Sequence, residues 1–341
     1  MKKKYLITGG AGFIGSNYVH RLLKRGEQVT IYDNFSRAGA PRNLDWLKQE
    51  YGKNAFEVIT GDVRDANRIA ESASGADVIV HLAGQVAVTT SVNNPRDDFE
   101  SNALGTFNVL EAARASGRNP ILIYASTNKV YGGMEDVKLF EEPTRWRYKD
   151  LVQGCPETQP LDFHSPYGCS KGAGDQYVRD YHRIYNLQTV VFRQSCIYGT
   201  RQFGVEDQGW VAWFIIAAVT GKPITIYGDG KQVRDILFVE DLLNAYDLAV
   251  EKIDTARGQV YNLGGGPENV MSIWTEFQPK LEKLLGKPVE VARGDWRPGD
   301  QRVFYADIGK AKKELGWAPT IDVEAGVQKL FKWVMENIKL F

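Results

Sequence analysis

Apolar residues in the amino-terminal half fall into short unbroken runs rather than alternating positions. Lys4–Thr8, Val29–Asp33, Phe56–Thr60, Asp77–Leu82 and Ile121–Ala125 each read as a strand that is apolar on both faces. Stretches of helical rhythm separate them, notably Phe13–Lys24, which closes at Gly26, and Asp97–Ser116. A strand buried on both sides belongs in a parallel sheet covered by helices. The alternation therefore predicts an α/β fold built on a doubly wound parallel sheet. Ser165 and Pro166 form a helix start, with Ser165 as N-cap and Pro166 at the first helical position. Ala173, Tyr177 and Tyr181 keep that helix's rhythm, and Thr189–Phe192 reads as a further strand. Beyond it, Asn262–Gly266 reads as a strand exit, and Trp274–Leu285 and Val323–Ile338 as amphipathic helices. We expect one domain over residues 1–190, joined by segments returning from about 230–265, and a smaller mixed α/β domain mainly over 191–341.

A chain of 341 residues, 43% hydrophobic, can fill such a core. Its 42 Lys+Arg balance its 42 Asp+Glu. No global charge draws it to nucleic acid or to a membrane surface, so any anion site must be local. Cys155, Cys169 and Cys196 have neither paired nor metal-type spacing and read as reduced thiols. His20, His81, His164 and His182 form no ligand pattern, so no metal is expected. Residues 1–15 lack a secretory pattern, and no run approaches the roughly 18 apolar residues that a bilayer span needs. The expected location is the cytoplasm.

The first strand leads into T-G-G-A-G-F-I-G, with glycines at 9, 10, 12 and 15, and then into a helix. Glycines such as Gly9, Gly12 and Gly15 let a backbone approach a pyrophosphate, and the free N–H groups around Phe13 and Ile14 point at it. Asp33 ends the next strand, 18 residues past Gly15. Its carboxylate can bind a ribose diol and repels a 2′-phosphate, which favours NAD over NADP. Asn34 and Arg37 follow it, and an arginine at 37 is able to tolerate a phosphate. Ligands of such sheets gather at the strand carboxyl ends. This places Asp62 and Val63 at an adenine edge, and Leu82, Ala83 and Gln85 on the cofactor side. Asn102, inside a helix, is either a buried amide or the holder of a backbone kink. Ser126, Thr127 and Asn128 fall where a substrate lies.

Tyr167 and Lys171 are four residues apart, so they share one helix face. A neighbouring ammonium favours phenolate and lowers a tyrosine pKa. A tyrosine tuned in that way is a general base near neutral pH.

T-G-G-A-G-F-I-G, D-N-F-S-R, G-D-V, H-L-A, Thr127 and Y-x-x-x-K, in this order, resemble an extended short-chain dehydrogenase/reductase over essentially the whole chain. The resemblance implies a Rossmann-type sheet, NAD, a catalytic set of Thr127, Tyr167 and Lys171, and a nucleotide-sugar substrate. It also implies a homodimer formed through the Tyr167 helix and the helix at 97–116. Q-V-A-V-T-T-S (85–91), S-T-N-K-V-Y-G (126–132), D-F-H-S-P-Y-G-C-S-K (162–171), D-Q-G-W (207–210) and G-K-Q-V-R-D (230–235) are similar to the branch that epimerises carbon 2 of CDP-linked deoxyhexoses. In the family's 4,6-dehydratases an Asp-Glu pair follows the catalytic threonine. Here Asn128 and Lys129 follow Thr127, so elimination of water is not expected.

The matching arginines, Arg234 and Arg297, are implied to hold a substrate diphosphate, an oxyanion that a guanidinium fork suits. Asn128, Gln208, Trp210 and Asp300 are further substrate candidates. Trp210 and Trp213 read equally well as core of the smaller domain. Residues 140–162 form either a lid or interface loop or a plain surface excursion. A UDP-hexose 4-epimerase, which uses the same relay, is the nearest alternative; a non-catalytic NAD sensor is another.

Overall fold

The computed structural model describes residues 2–297 and 300–341. Seven parallel strands form its main sheet: β1 (Lys4–Thr8), β2 (Gln28–Asp33), β3 (Glu57–Thr60), β4 (Val78–His81), β5 (Ile121–Thr127), β6 (Gln188–Gln194) and β7 (Val260–Leu263). Their order across the sheet is β7-β6-β5-β4-β1-β2-β3. The chain thus runs outward from β1 to β3 and then returns to add β4 on the other side. That reversal opens a crevice at the carboxyl ends of β1 and β4, where such sheets take ligands. Val78, Ile79, Val80, Ile121, Leu122, Ile123 and Tyr124 are all buried. The unbroken apolar runs arise because both sheet faces are covered.

Other expected boundaries moved. The strand expected over Ile121–Ala125 continues to Thr127, and the strand expected over Thr189–Phe192 continues to Gln194, because polar Ser126, Thr127, Arg193 and Gln194 pair in register within the sheet. The helix expected over Asp97–Ser116 is three segments: Pro95–Phe99, a wide π-type turn over Glu100–Leu104, and Gly105–Ala115. Asn94 caps the first by accepting from the Asp97 N–H at 3.3 Å. The helix expected from Trp274 begins at Phe277, because Ser272 and Glu276 bond each other's backbone N–H groups instead. The last long helix is Val323–Glu336, capped by Asp322 through the Ala325 N–H.

The carboxy-terminal half carries its own sheet. Val233–Phe238 pairs with Val270–Ser272, Val303–Phe304 and Cys196–Tyr198. The helix Trp210–Thr220 packs through Trp210 and Phe214 on Trp274 and Phe277 of this half and was not expected from the sequence. Residues 140–162 are fastened to this half. Leu139–Glu141 and Trp146–Tyr148 form a hairpin, the Trp146 Nε1–H donates to Asp229 at 2.7 Å, and the Tyr148 hydroxyl donates to the Val303 carbonyl at 2.9 Å. The segment is a packed excursion.

One buried ion pair ties the layers together. Arg193 on β6 grips Asp175 of the helix Ser165–Tyr185 in a bidentate fork, with Nε to Oδ2 at 2.9 Å and Nη2 to Oδ1 at 3.0 Å. Ser126 on β5 donates to the same carboxylate at 2.8 Å. Arg193 also donates to the Tyr131 hydroxyl at 3.0 Å, which in turn donates a hydrogen bond to the Asn262 amide oxygen on β7 at 2.7 Å. Removing one partner of such a pair strands a buried charge. Asp175→Ala is expected to cost about 3–5 kcal/mol of unfolding free energy in a denaturant titration. A loss below about 1 kcal/mol would show that the pair is not the fastening described here.

Candidate active site

The glycine turn is closed by its own packing. Gly9 sits at φ +69°, and a Cβ there would stand 2.8 Å from the Ala83 nitrogen. A Cβ on Gly15 would stand 2.3 Å from the Gly9 carbonyl oxygen and 2.7 Å from the Gly10 Cα. Helix Phe13–Lys24 therefore starts hard against the end of β1. The Phe13 and Ile14 N–H groups, in its first turn, have no acceptor within the helix. Asp33 is buried at the end of β2 and accepts from the Phe35 N–H at 2.8 Å and the Ala11 N–H at 3.0 Å. Those two bonds fix the carboxylate while each oxygen keeps a lone pair for a ribose hydroxyl. Burial pushes Asp33 up, and the two N–H bonds oppose it.

Around this turn stand the other expected cofactor residues. The Asn34 amide donates to Asp62 at 2.9 Å, and Arg64 holds Asp62 in a fork at 2.9 and 2.7 Å. Hydrogen bonding to Arg64 lowers Asp62 to about 2. Val63 is buried against Gly105. Leu82 and Ala83 leave β4 beside Gly9, and the Ala83 N–H donates to the Thr8 hydroxyl at 3.3 Å. Gln85 folds back on Ala87, its amide donating to the Ala87 carbonyl at 2.6 Å. Arg37 is exposed, and its charge acts weakly on Tyr167. These residues fit a dinucleotide: a close-packed glycine turn, free helix N–H groups and a positioned ribose carboxylate.

The residues expected to form the relay lie one step deeper. Ser165 begins its helix at φ +69°, and its hydroxyl accepts from the Gly168 N–H at 3.2 Å. The Tyr167 N–H donates to Ser91 at 3.1 Å. Thr127, at the end of β5, accepts from the Lys129 N–H at 3.2 Å and donates to the Asn128 amide oxygen at 3.4 Å. Lys171 sits with its ammonium 4.3 Å from the centre of the Tyr124 ring.

The expected acidic tyrosine is corrected here. Burial pushes Tyr167 up to about 12, while the Thr127 hydroxyl and, more weakly, Arg37 pull the other way. Burial also pushes Lys171 down to about 7, against the charges of Asp175 and Asp98. Lys171 rests on Tyr124, so its charge is not what tunes Tyr167 at rest. The chamber disfavours charge on both groups.

Asn102 is a buried amide that lies inside the π-type turn. It donates to Asp98 at 3.1 Å and Ser170 at 3.1 Å, and its carbonyl oxygen faces Gly84. Asp98 accepts from Ser170 at 2.5 Å, one residue before Lys171. Sequence reasoning missed Asp98; its only signal was the four-residue spacing to Asn102.

The substrate candidates fall into one corner. Asn128 donates to Gln301 at 3.4 Å. Arg234 is buried and pairs with Asp300 at 2.6 Å. Arg297 lies 3.8 Å over the Tyr227 ring and pairs with Asp207 at 3.2 Å. Gln208 closes a tight turn with Val205. Trp210 packs edge-on against Phe277 and Phe214, so its ring belongs to the smaller half's core. Lys129 and the buried Gln301 also belong to this corner and were not among the expected residues. Among the described residues, no group of three or more His, Cys, Asp or Glu side chains is arranged to hold a metal, and no helix is long and apolar enough to cross a membrane.

Residues 6–330 match the model of the GDP-mannose 4,6 dehydratase family. The chain belongs to this family. It is thereby an enzyme of the extended short-chain dehydrogenase/reductase class, which contains both epimerases and dehydratases. It is 46% identical over 337 residues to the CDP-paratose 2-epimerase of Salmonella typhi, covering 97% of this chain and 98% of that protein. Among solved structures, the UDP-glucose 4-epimerase of Thermotoga maritima with UDP-glucose superposes with a TM-score of 0.84 at 30% identity, over 98% of this chain and 99% of that one. The dTDP-glucose 4,6-dehydratase of Streptomyces venezuelae, with NAD and TYD bound, gives 0.84 at 28% identity, over 99% and 98%. The family takes its name from a dehydratase, yet the residues after Thr127 are an amide and a lysine rather than two acids.

Proposed function

We propose that the protein is an NAD-dependent epimerase acting at carbon 2 of a nucleotide-activated hexose, with CDP-paratose to CDP-tyvelose as its reaction. The observation that carries this reading is Asn128-Lys129 beside an intact Thr127, Tyr167 and Lys171, in a chain 46% identical to a CDP-paratose 2-epimerase. The relay supports oxidation and return, and the missing acid pair argues against elimination.

Tyr167 acts as a phenolate, the form that Lys171 favours once it leaves Tyr124; it takes the proton of the sugar hydroxyl and, as a phenol, later gives it back. Thr127 shares that hydroxyl's hydrogen bond and keeps it aimed at Tyr167. NAD, when bound, supplies a reversible two-electron acceptor for the sugar carbon. The glycine turn, Phe13 and Ile14 hold its pyrophosphate, Asp33 its ribose diol, and Asp62 and Val63 its adenine edge. Lys171, released from Tyr124, binds the second ribose. Arg234 and Arg297 hold the diphosphate while the keto sugar turns its other face to the cofactor. Their resting carboxylate partners, Asp300 and Asp207, are displaced by the phosphates.

We also infer a homodimer. Phe99, Leu104 and Phe107 on one helical stretch and Tyr177, Ile184 and Tyr185 on the Tyr167 helix are all exposed, and the Phe107 and Tyr177 rings stand 6.0 Å apart. Such a continuous apolar face is unusual on a monomer. Light scattering should give twice the chain mass, and Phe107→Glu should halve it; a wild-type monomer refutes the dimer.

Product analysis by NMR tests the reaction. CDP-paratose, CDP-glucose, UDP-glucose and a GDP-sugar are incubated in parallel with the NAD-loaded protein. Inversion at carbon 2 of CDP-paratose is expected, and Tyr167→Phe should lower it by about a thousandfold. Inversion at carbon 4 of UDP-glucose alone would establish the 4-epimerase reading instead. Tight NAD binding without turnover of any sugar would establish a sensor.

A further inference from the structure

Lys129 lies on the turn directly after Thr127 and Asn128. Its Nζ donates to Gln301 Oε1 at 3.3 Å, and the Gln301 amide is itself anchored on the Gly132 carbonyl. The two expected phosphate-binding arginines are already matched: Arg234 by Asp300 at 2.6 Å and Arg297 by Asp207 at 3.2 Å. The partner of Lys129 is a neutral amide. A diphosphate entering this corner meets two cations ion-paired to carboxylates and one whose hydrogen-bond partner is a neutral amide.

We infer that Lys129 is a substrate-binding residue that donates its ammonium to the diphosphate of the nucleotide sugar alongside Arg234. This rests on the nucleotide-sugar reading proposed above. A lysine suits the position because three rotatable N–H donors on a flexible stem can leave Gln301 and follow an oxyanion. Gln301 then parks the ammonium between turnovers and keeps it away from Thr127.

The charges facing Lys129 support the assignment. Burial and then Arg234, on Val233–Phe238, lower it to about 8. Asp300, in the segment before Val303, and Cys196, on Cys196–Tyr198, act in the opposite direction. An arriving diphosphate raises it again. In the free protein the ammonium is lost as pH rises through about 8, while the complex retains it, so binding takes up a proton above that pH. Affinity consequently falls with rising pH there, by up to tenfold per unit.

The test is calorimetric titration of the NAD-loaded protein with CDP and with UDP, at about pH 7 and about pH 8.5, in two buffers of different ionisation heat. The wild type should take up about half a proton or more at the higher pH. Lys129→Met should bind about tenfold more weakly at pH 7 and take up none. Lys129→Arg, whose charge does not titrate in this range, should keep the affinity and lose the uptake. Wild-type affinity and uptake in a folded Lys129→Met protein would overturn the assignment while leaving the epimerase reading intact. A wild-type protein that binds neither CDP nor UDP would overturn both.

Discussion

The buried pair of Arg193 and Asp175 is the constraint on which the site depends. Asp175 lies one helical turn beyond Lys171, and Ser126, which also bonds that carboxylate, immediately precedes Thr127. A single carboxylate thus sets the helix that carries Tyr167 and Lys171 against the strand that carries Thr127. Its cationic partner continues through Tyr131 and Asn262 to the sheet's last strand. Charges this deeply buried are tolerated only when their hydrogen-bonding positions are filled, and here the fork, Ser126 and Tyr131 fill them. The arrangement exchanges the freedom of three elements for one register. Proton transfer over a hydrogen-bond distance needs that register.

Around the fixed frame, the chamber is poor in stable charge. Burial raises Tyr167 and lowers Lys171, so neither group readily carries its charge at rest. In a medium of low effective dielectric, one added charge then has a large effect. Reactivity is therefore expected to depend on what occupies the cleft more than on the tyrosine-lysine pair alone. The four-residue spacing showed correctly that the two side chains share a helix face. It could not show that the lysine rests on Tyr124, because that contact crosses from helix to strand.

Much of the fold was legible because both faces of the sheet are buried. Continuous apolar runs ending at glycines or polar residues located β1 to β4 within a residue or two, and the glycine turn located the helix after β1. The extension of β5 and β6 was hidden because Ser126, Thr127, Arg193 and Gln194 are polar yet buried. Trp210–Thr220 was hidden for the opposite reason: it is apolar almost all round and so shows no amphipathic rhythm. In the site, motif residues such as Asp33 and Thr127 could be read from their neighbours. Lys129 could not, since its partner Gln301 lies 172 positions away and its burial is a product of the tertiary fold.

The central claim is that the hydrogen on the sugar's carbon 2 leaves and returns within one closed site. It is tested most directly with CDP-paratose deuterated at carbon 2, incubated with the NAD-loaded protein in ordinary water. The account predicts that the product keeps deuterium at carbon 2 with inverted configuration, and that turnover is slower than with the unlabelled sugar. Loss of the deuterium to solvent, or inversion at full speed with the label untouched at another carbon, would contradict it.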